Sequence, residues 1–171
     1  DHVCFLNTNA ELNAPSWLAK LLSNLEMPGV GMIGATGSFE SLRYINRLFP
    51  AFPNPHLRTN AFAMRREHAV ALLGAYAIAT KLDAFFAESG PDGLTRRVLA
   101  LGLTCLIVGA DGRGYAPPLW PISETSRQGA QANLLVHDNY TRGYEALGSG
   151  ARAEVTLASW GRAIPATVIE A

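Results

Sequence analysis

Two asparagines, Asn7 and Asn9, directly follow the first apolar run of the chain, which spans residues 3–6. An apolar run of this length that stops at polar side chains indicates a buried strand. Open α/β sheets bind their ligands at the carboxyl ends of their strands, so both amides are candidate ligand-binding groups. A structural interpretation competes with this one, because asparagine often turns or caps a chain by bonding nearby backbone groups.

Arginine, histidine and aspartate side chains also occur late in the chain, in a Pro-rich and aromatic segment at residues 115–142. A loop of this length is uncommon in a compact domain unless it has a function or is mobile. Arg127 and Arg142 have the paired donors that bind phosphate oxygens, and His137 or Asp138 can ligate a metal. The alternative is an extended segment packed on the sheet, with Asp138 in a turn and Arg142 in a surface ion pair.

Short apolar runs that alternate with helical patterns must position these residues. The runs at residues 3–6, 30–35 and 103–108 have the length of buried strands, and residues 17–25 and 94–101 repeat apolar side chains at helical spacing. This alternation predicts an α/β fold with a mainly parallel, Rossmann-like sheet flanked by helices. The three apolar runs are expected to be its central strands. A further short helix is predicted at residues 41–49.

The series of strand, polar tip, aromatic-leucine helix and a following strand that begins Pro28-Gly29-Val30-Gly31 resembles a known family. It is similar to the middle of the catalytic domain of inverting nucleotide-sugar glycosyltransferases with the GT-A fold, which build bacterial polysaccharides. The resemblance covers nearly the whole chain but only the later part of that domain, so it implies that nucleotide-binding elements precede Asp1. It divides the chain into a partial core at residues 1–114 and a C-terminal loop and tail at residues 115–171.

The resemblance also implies a donor site and a metal. In the family an Asp-x-Asp motif binds Mn²⁺ or Mg²⁺ at the end of the first of these strands, where this chain has Asn7-Thr8-Asn9. Asn7, Asn9 and the two late arginines are therefore expected to contact the donor and its pyrophosphate. Asn9, His137 and Asp138 are the candidate metal ligands. Neutral asparagine ligates a hard cation weakly, so metal binding is expected to be weakened.

Acceptor binding and the general base are expected at two other segments. Residues 56–64 are predicted to form a strand that resembles the family segment beneath the acceptor sugar, which makes Arg58, Thr59 and Asn60 candidate acceptor-binding residues. In the family an acidic residue ahead of an Arg-containing helix acts as the catalytic base, and this chain has Glu88 and Asp92 there. Asp92 is near the helix start, where a carboxylate caps free amides and its pKa is lowered. Glu88 follows two phenylalanines, and partial burial raises a carboxyl pKa toward neutrality, so Glu88 is the preferred base.

Composition argues against several classes of function. Fourteen acidic and fourteen basic residues give a formal net charge of zero, which disfavours bulk electrostatic binding to nucleic acid or to an anionic membrane. No apolar stretch approaches the roughly 18 residues of a membrane-spanning helix, and no signal peptide opens the sequence. Cys4 and Cys105 lie within apolar runs, which predicts two buried, reduced thiols and a cytoplasmic protein.

The function implied by the resemblance is the inverting transfer of a sugar from a nucleotide-sugar donor to a glycan or lipid-linked acceptor, in surface polysaccharide biosynthesis. The main alternative is a non-catalytic, glycosyltransferase-like module that binds a glycan or a partner subunit. Structural roles for both Glu88 and Asp92 would accompany it. A Rossmann oxidoreductase is disfavoured because no G-x-G-x-x-G motif opens a helix after a strand. The sequence leaves open which sugar and acceptor are used and whether the chain forms a homo-oligomer.

Overall fold

A computed structural model describes residues 1–162, which form a five-stranded sheet with helices packed on both faces. In chain order the elements are β1 (His2–Leu6), β2 (Glu11–Leu12), α1 (Trp17–Leu25), β3 (Val30–Gly34), β4 (Gly37–Ser38), β5 (His56–Leu57), β6 (Ala61–Arg65), α2 (Arg66–Leu73), α3 (Lys81–Ser89), α4 (Leu94–Ala100), β7 (Thr104–Val108), β8 (Gly114–Tyr115), a 3₁₀ helix (Pro117–Ile122), β9 (Val136–His137), α5 (Asn139–Glu145) and α6 (Ser149–Trp160).

The central sheet has the strand order β1-β6-β3-β7-β8, and only its β3–β7 pairing is parallel. The predicted α/β class is confirmed, and the expected mainly parallel pairing is corrected to a mostly antiparallel one. The reason is β6, which is inserted between β1 and β3 and is antiparallel to both. β1, β3 and β7 still run in the same direction, as strands that alternate with helices do. β1 is at the sheet edge, whereas β3 and β7 are central as predicted.

The carboxyl ends of β1, β3 and β7 lie at one end of the sheet, hereafter its carboxyl edge. The direction of β6 places its amino end there as well. The single strand predicted over residues 56–64 is interrupted there by a turn at residues 58–60. The Arg58 amide donates to the Thr36 carbonyl at 3.0 Å, and the Asn7 amide donates to the Asn60 carbonyl at 2.9 Å. Polar side chains from three separate segments therefore meet at this carboxyl edge of the sheet.

Two apolar cores lie on opposite faces of the sheet. On one face, α1 packs Leu21 and Leu25 against β3 and β6. On the other face, α2 and α4 pack against the same strands, together with Trp120 and Trp160. Because side chains alternate along a strand, the neighbours Met32 and Ile33 belong to different cores. Both faces of the central strands are therefore covered, which explains why their sequences are continuously apolar.

Close packing and turns explain two of the glycines near the predicted strands. A Cβ on Gly31 would lie 2.7 Å from a Val98 methyl group, so glycine allows β3 to approach α4. Gly112 has φ 81 in the connection between β7 and β8, which pair antiparallel. The glycine-rich stretch around Gly112 is therefore a hairpin connection, and left-handed backbone favours glycine there.

The segment after β8 packs closely on both faces of the sheet. Trp120 is fully buried, and its indole N–H donates to the Tyr115 carbonyl at 2.8 Å. Leu135 and Val136 join the core beneath α1, and Trp160 joins the opposite core. The domain boundary predicted after residue 114 falls within β8, and residues 163–171 of the predicted tail lie outside the described residues. Within residues 1–162, no helix is both long and apolar enough to cross a membrane.

Residues 42–52 form a compact loop of turns, whereas the sequence predicted a short helix over residues 41–49. The bonds between backbone groups include both three-residue and four-residue spacings and do not continue into a helix. Pro50 and Pro53 provide no amide hydrogen, which limits helix formation at this end. Phe49 anchors the loop by stacking on Phe86 of α3, with ring centroids 4.3 Å apart.

Candidate active site

A cavity of about 90 Å³ lies at the carboxyl edge of the sheet, beside the turn at residues 58–60. Its ionisable lining residues other than tyrosine come from separate parts of the chain and are Glu40, His56, Arg58, Glu88 and Arg127. Pockets that enclose a whole small-molecule ligand usually measure about 300–1,000 Å³. This cavity is therefore large enough for only the reacting end of a larger substrate.

Glu88 lies in the last turn of α3, and Thr59 orients its carboxylate. The Thr59 amide donates to Oε2 at 2.6 Å, and the Thr59 hydroxyl donates to the same oxygen at 2.7 Å. The other oxygen, Oε1, accepts no hydrogen bond from residues 1–162. The helix that carries Glu88 is fixed at its start by a capping box between Thr80 and Asp83. The carboxylate is thus oriented by two donors and retains one free oxygen.

Asp92, the competing carboxylate, does not line this cavity. It is exposed and forms an ion pair with Arg97, and the hydrogen bond from that guanidinium holds the pKa of Asp92 below its usual value. Gly93 occupies the N-cap position of α4, and no side chain caps that helix. The expected capping role of Asp92 is therefore replaced by the ion pair with Arg97.

Two arginines line the cavity, one paired with a carboxylate of the described residues and one not. The Arg127 guanidinium is paired with Glu40 at 2.9 Å and donates to the Ser159 hydroxyl at 3.1 Å. The Arg58 guanidinium lies 4.6 Å from the ring centroid of Tyr140. No ion pair within residues 1–162 includes Arg58. Arg58 can therefore bind an anionic group without displacing a carboxylate.

The backbone that presents Arg127 is held in an uncommon conformation. Arg127 has φ 55, and Glu124 and Gln131 in the same loop have φ 54 and φ 52. Left-handed backbone is unfavourable for residues other than glycine and persists only where the surroundings hold it. The Gln131 side chain accepts the Arg127 amide at 2.8 Å, and the Thr156 hydroxyl donates to the Arg127 carbonyl at 3.0 Å. Sequence patterns gave no sign of this arrangement.

His56 is a cavity residue that sequence reasoning missed. Its ring is buried, and Nδ1 lies 2.8 Å from the Asn54 carbonyl. A carbonyl oxygen can only accept, so Nδ1 carries the hydrogen and the neutral ring keeps Nε2 as an acceptor. Burial lowers the pKa of His56, although Glu88 opposes this shift. Asn54 is itself fixed, because its side-chain amide nitrogen donates to the Ser89 backbone carbonyl at 2.8 Å.

The predicted acceptor-binding residues behave differently from one another. Arg58 lines the cavity and Thr59 binds Glu88, as described above. Asn60 is buried, and its Oδ1 accepts the Thr36 hydroxyl at 2.6 Å. Its Nδ2 atom is buried without a hydrogen-bond partner among residues 1–162. Asn60 therefore links β3 and β6 at the edge of the sheet and does not line the cavity.

Three of the four predicted donor-binding residues, Asn7, Asn9 and Arg142, form a second polar group next to the turn at residues 58–60, whereas Arg127 lines the cavity. Asn7 Oδ1 accepts the Asn9 amide at 3.0 Å, so this side chain stabilises its own turn. Arg142 donates to the Asn9 carbonyl at 3.3 Å and pairs with Glu11 at 3.1 Å. The structure thus brings Arg142 close to Asn9. The ion pair between Arg142 and Glu11 is the surface ion pair of the alternative interpretation.

Two of the three candidate metal ligands have structural partners. Asp138 is the N-cap of α5, and its Oδ1 accepts the amides of Tyr140 and Thr141 at 2.9 and 2.8 Å. His137 Nδ1 lies 3.7 Å from Glu145. Within residues 1–162, no group of three or more His, Cys, Asp and Glu side chains is arranged to hold a metal ion. Asn9, His137 and Asp138 include only two side chains of these types, so their role as metal ligands stays a prediction.

Comparison of the chain with protein-family models, with curated protein sequences and with solved structures gave no significant match. The cavity and the sequence resemblance are therefore the two features of the chain that bear on its function.

Proposed function

We propose that the protein is an inverting glycosyltransferase with a GT-A-like sheet, acting in surface polysaccharide biosynthesis. It transfers a sugar from a nucleotide-sugar donor to a hydroxyl group of a glycan or lipid-linked acceptor. The observation that most supports this proposal is the oriented carboxylate of Glu88, which has a free oxygen and lies in one cavity with two arginines. A general base must reach a substrate proton, and a departing diphosphate must be met by positive charge.

In the proposed mechanism, Glu88 Oε1 accepts the proton of the acceptor hydroxyl group as the acceptor oxygen attacks the anomeric carbon. The bond between that carbon and the phosphate oxygen breaks, and the nucleoside diphosphate leaves with the electron pair. Attack opposite the leaving group inverts the configuration. Positive charge develops on the sugar ring, as in glycoside hydrolysis. Thr59 keeps Glu88 oriented throughout by its bonds to Oε2.

The charges of the cavity suit a reaction in which a proton and an anion both move. Glu40 and Arg127 neutralise each other across 2.9 Å, which leaves Glu88 and Arg58 as the groups free to act on substrate. Arg58 is stacked on Tyr140, so its guanidinium is pre-oriented. Arg127 becomes available to a phosphate only when its bond to Glu40 is exchanged. Arg58 is therefore the first candidate to bind the diphosphate, and Arg127 is the second.

A divalent metal is part of what the sequence resemblance implies, but two of its three predicted ligands, His137 and Asp138, already have partners in the protein. Asp138 Oδ1 accepts two backbone amides, and His137 Nδ1 lies 3.7 Å from Glu145. No step of the proposed mechanism is routed through a metal ion. The charge on the leaving diphosphate is assigned to the two arginines of the cavity.

Replacement of Glu88 by glutamine tests the proposal. The protein is first incubated with a panel of nucleoside-diphosphate sugars and acceptors, and the release of nucleoside diphosphate identifies the donor. Glu88→Gln keeps the size of the side chain and an acceptor for Thr59 but removes its proton affinity. We expect kcat to fall by about 100-fold or more, with the KM for the donor nearly unchanged.

Asp92→Asn is the matched control, because Asp92 is also a carboxylate near the start of α4 but lies outside the cavity. We expect this variant to keep its turnover. Loss of turnover in Asp92→Asn with normal turnover in Glu88→Gln would show that the base was assigned to the wrong carboxylate. Normal turnover in both variants, or no turnover of any nucleotide sugar by the unmodified protein, would contradict a catalytic role for Glu88.

A second candidate function is a non-catalytic, glycosyltransferase-like module that binds a glycan or a partner subunit. The observation that favours it is the structural use of Asn7 Oδ1, predicted to bind the donor, and of Asp138 Oδ1, predicted to ligate a metal. Calorimetry with free nucleoside diphosphates and with oligosaccharides separates the two functions. A transferase binds the nucleotide, whereas the non-catalytic module binds only the glycan or the partner.

A further inference from the structure

The loop at residues 42–52, hereafter the apolar loop, presents four large apolar side chains to solvent: Tyr44, Ile45, Leu48 and Phe52. Tyr44 is 76% exposed and Leu48 is 71% exposed, so neither side chain contributes to a core. Tyr44 and Phe52 line one surface groove together with the exposed Leu157 of α6. Single apolar residues on a surface are ordinary, but a contiguous group of them marks a binding surface.

The inner side of the apolar loop is firmly held. Phe49 stacks on Phe86 in the core, and the Ser41 hydroxyl donates to the Pro50 carbonyl at 2.6 Å. Arg43 Nε donates to the Phe49 carbonyl at 3.2 Å. The exposed side chains are therefore displayed on a loop that is already ordered. A surface of this kind binds with a small loss of conformational entropy.

Two exposed arginines, Arg43 and Arg47, flank the apolar side chains. No ion pair within residues 1–162 includes either of them. The nearby carboxylate of Glu40 is already paired with Arg127. The apolar loop thus carries local positive charge even though the whole chain has a formal net charge of zero.

We propose that the apolar loop docks on the surface of a lipid bilayer that contains anionic headgroups. Aromatic and aliphatic side chains enter the boundary between headgroups and acyl chains, while guanidinium groups bind lipid phosphates. The unpaired arginines beside the apolar side chains favour this occupant, because an apolar protein partner would leave both charges without a counterion. The zero net charge is compatible with such docking, since charges more than about 10 Å from the surface are screened by salt.

The apolar loop adjoins the candidate active site, because Tyr44 and Ile45 also line the cavity that contains Glu88. Docking therefore holds the cavity close to the bilayer surface. If the proposed function is correct, on which this step alone rests, a lipid-linked acceptor presents its hydroxyl group to Glu88 from that surface. Docking itself depends only on the loop and is measured without any substrate.

Co-sedimentation with lipid vesicles tests the proposal. The unmodified protein is expected to sediment with vesicles of phosphatidylcholine and phosphatidylglycerol and to bind pure phosphatidylcholine vesicles much more weakly. Leu48→Ser should lower the partition coefficient about tenfold, because it removes one inserted apolar side chain. Arg47→Gln should lower it about fivefold on the anionic vesicles alone.

Leu101→Ser is the matched control. Leu101 is 55% exposed at the end of α4, near the amino end of β7 and therefore at the opposite edge of the sheet. This variant should bind vesicles as the unmodified protein does.

Absence of vesicle binding, or equal losses in Leu48→Ser and Leu101→Ser, would overturn the proposal. A dimer that Leu48→Ser dissociates, without any vesicle binding, would instead assign the apolar loop to a second copy of the chain. Turnover of a soluble acceptor does not depend on whether the apolar loop docks on vesicles. Failure of docking is therefore distinguishable from failure of the proposed function.

Discussion

At the scale of single residues, the orientation of Glu88 depends on Thr59. The amide and the hydroxyl of Thr59 bind the same carboxylate oxygen, at 2.6 and 2.7 Å, and 29 residues separate the two partners in the chain. One residue therefore fixes the carboxylate from one side and leaves the other oxygen free. A positioning residue of this kind is expected to change the rate of the reaction more than the binding of the donor.

Removal of the Thr59 hydroxyl tests this role. Thr59→Val keeps the amide donor and the approximate shape but removes the bond to Glu88 from Oγ1. A hydrogen bond to a charged group contributes about 1.5–3 kcal/mol, so kcat should fall by about tenfold or more with the KM for the donor nearly unchanged. Thr59→Ser restores the hydroxyl and should recover most of the turnover. Equal kcat values in the valine and serine variants would contradict the positioning role.

His56 should make the stability of the protein depend on pH. Burial lowers the pKa of His56 below its ordinary value of 6.5, so near that pH the unfolded chain binds this proton more readily than the folded chain. The contribution of neutral, buried His56 to the free energy of unfolding is fully present above about pH 6.5. It is lost as the pH falls through the lowered pKa of the folded form. Urea unfolding at pH 7.5 and pH 5.5, both chosen to bracket the ordinary pKa of about 6.5, measures the loss. His56→Gln should show a smaller loss, and an unchanged one would contradict the prediction.

At the scale of elements, the sequence predicted which segments form strands and helices better than it predicted which strands pair with one another. The apolar runs at β1, β3 and β7 were recognisable because strands covered on both faces are continuously apolar. The insertion of β6 between β1 and β3 could not be predicted, because it depends on which strands meet in space. The turn at residues 58–60 was also missed, since its residues lie between two apolar runs that resemble one strand. Consequently Arg58, Glu88 and Arg127 were among the predicted site residues, whereas the cavity residues Glu40 and His56 and the separation of a second polar group were not predicted.

Asp138 provides a test that separates a helix cap from a metal ligand. Its carboxylate accepts the amides of Tyr140 and Thr141 at the start of α5. Asp138→Ala should lower the free energy of unfolding by about 1–2 kcal/mol, while Asp138→Asn should cost much less because asparagine is also a good N-cap. Chemical denaturation measures both values. Loss of Mn²⁺ binding in Asp138→Asn, with stability unchanged, would instead support the predicted role as a metal ligand.

At the scale of the whole molecule, the two cysteines report on different parts of the structure. Cys4 packs beneath α1 from the edge strand β1, whereas Cys105 is buried in the core on the opposite face. The sheet therefore separates the two thiols, which are both free. Burial raises the pKa of Cys105 to about 12, and burial also raises the pKa of Cys4. Neither thiol should react quickly while the protein is folded.

Thiol labelling in increasing urea should distinguish local from global opening. In the Cys4→Ser variant, Cys105 should be labelled only when the central sheet opens, so its opening free energy should equal the global free energy of unfolding measured by circular dichroism. In the Cys105→Ser variant, Cys4 should be labelled through a smaller opening at the sheet edge. Labelling of Cys105 at an opening energy well below the global value would show that the central strands open independently.

The three-residue turn at residues 58–60 limits how this site can diverge during evolution. It leads directly into β6, whose alternate residues Phe62 and Met64 face one core while Ala61 and Ala63 face the other. A shift of β6 by one residue would exchange these two sets of side chains between the cores, so a residue inserted in the turn must be accommodated between β5 and β6. Such an insertion would move Arg58 and Thr59 relative to the cavity and to Glu88, so change on this side is expected mainly by substitution. The apolar loop on the other side contributes Tyr44 as its one ionisable lining residue of the cavity, so related chains are expected to vary more in length there.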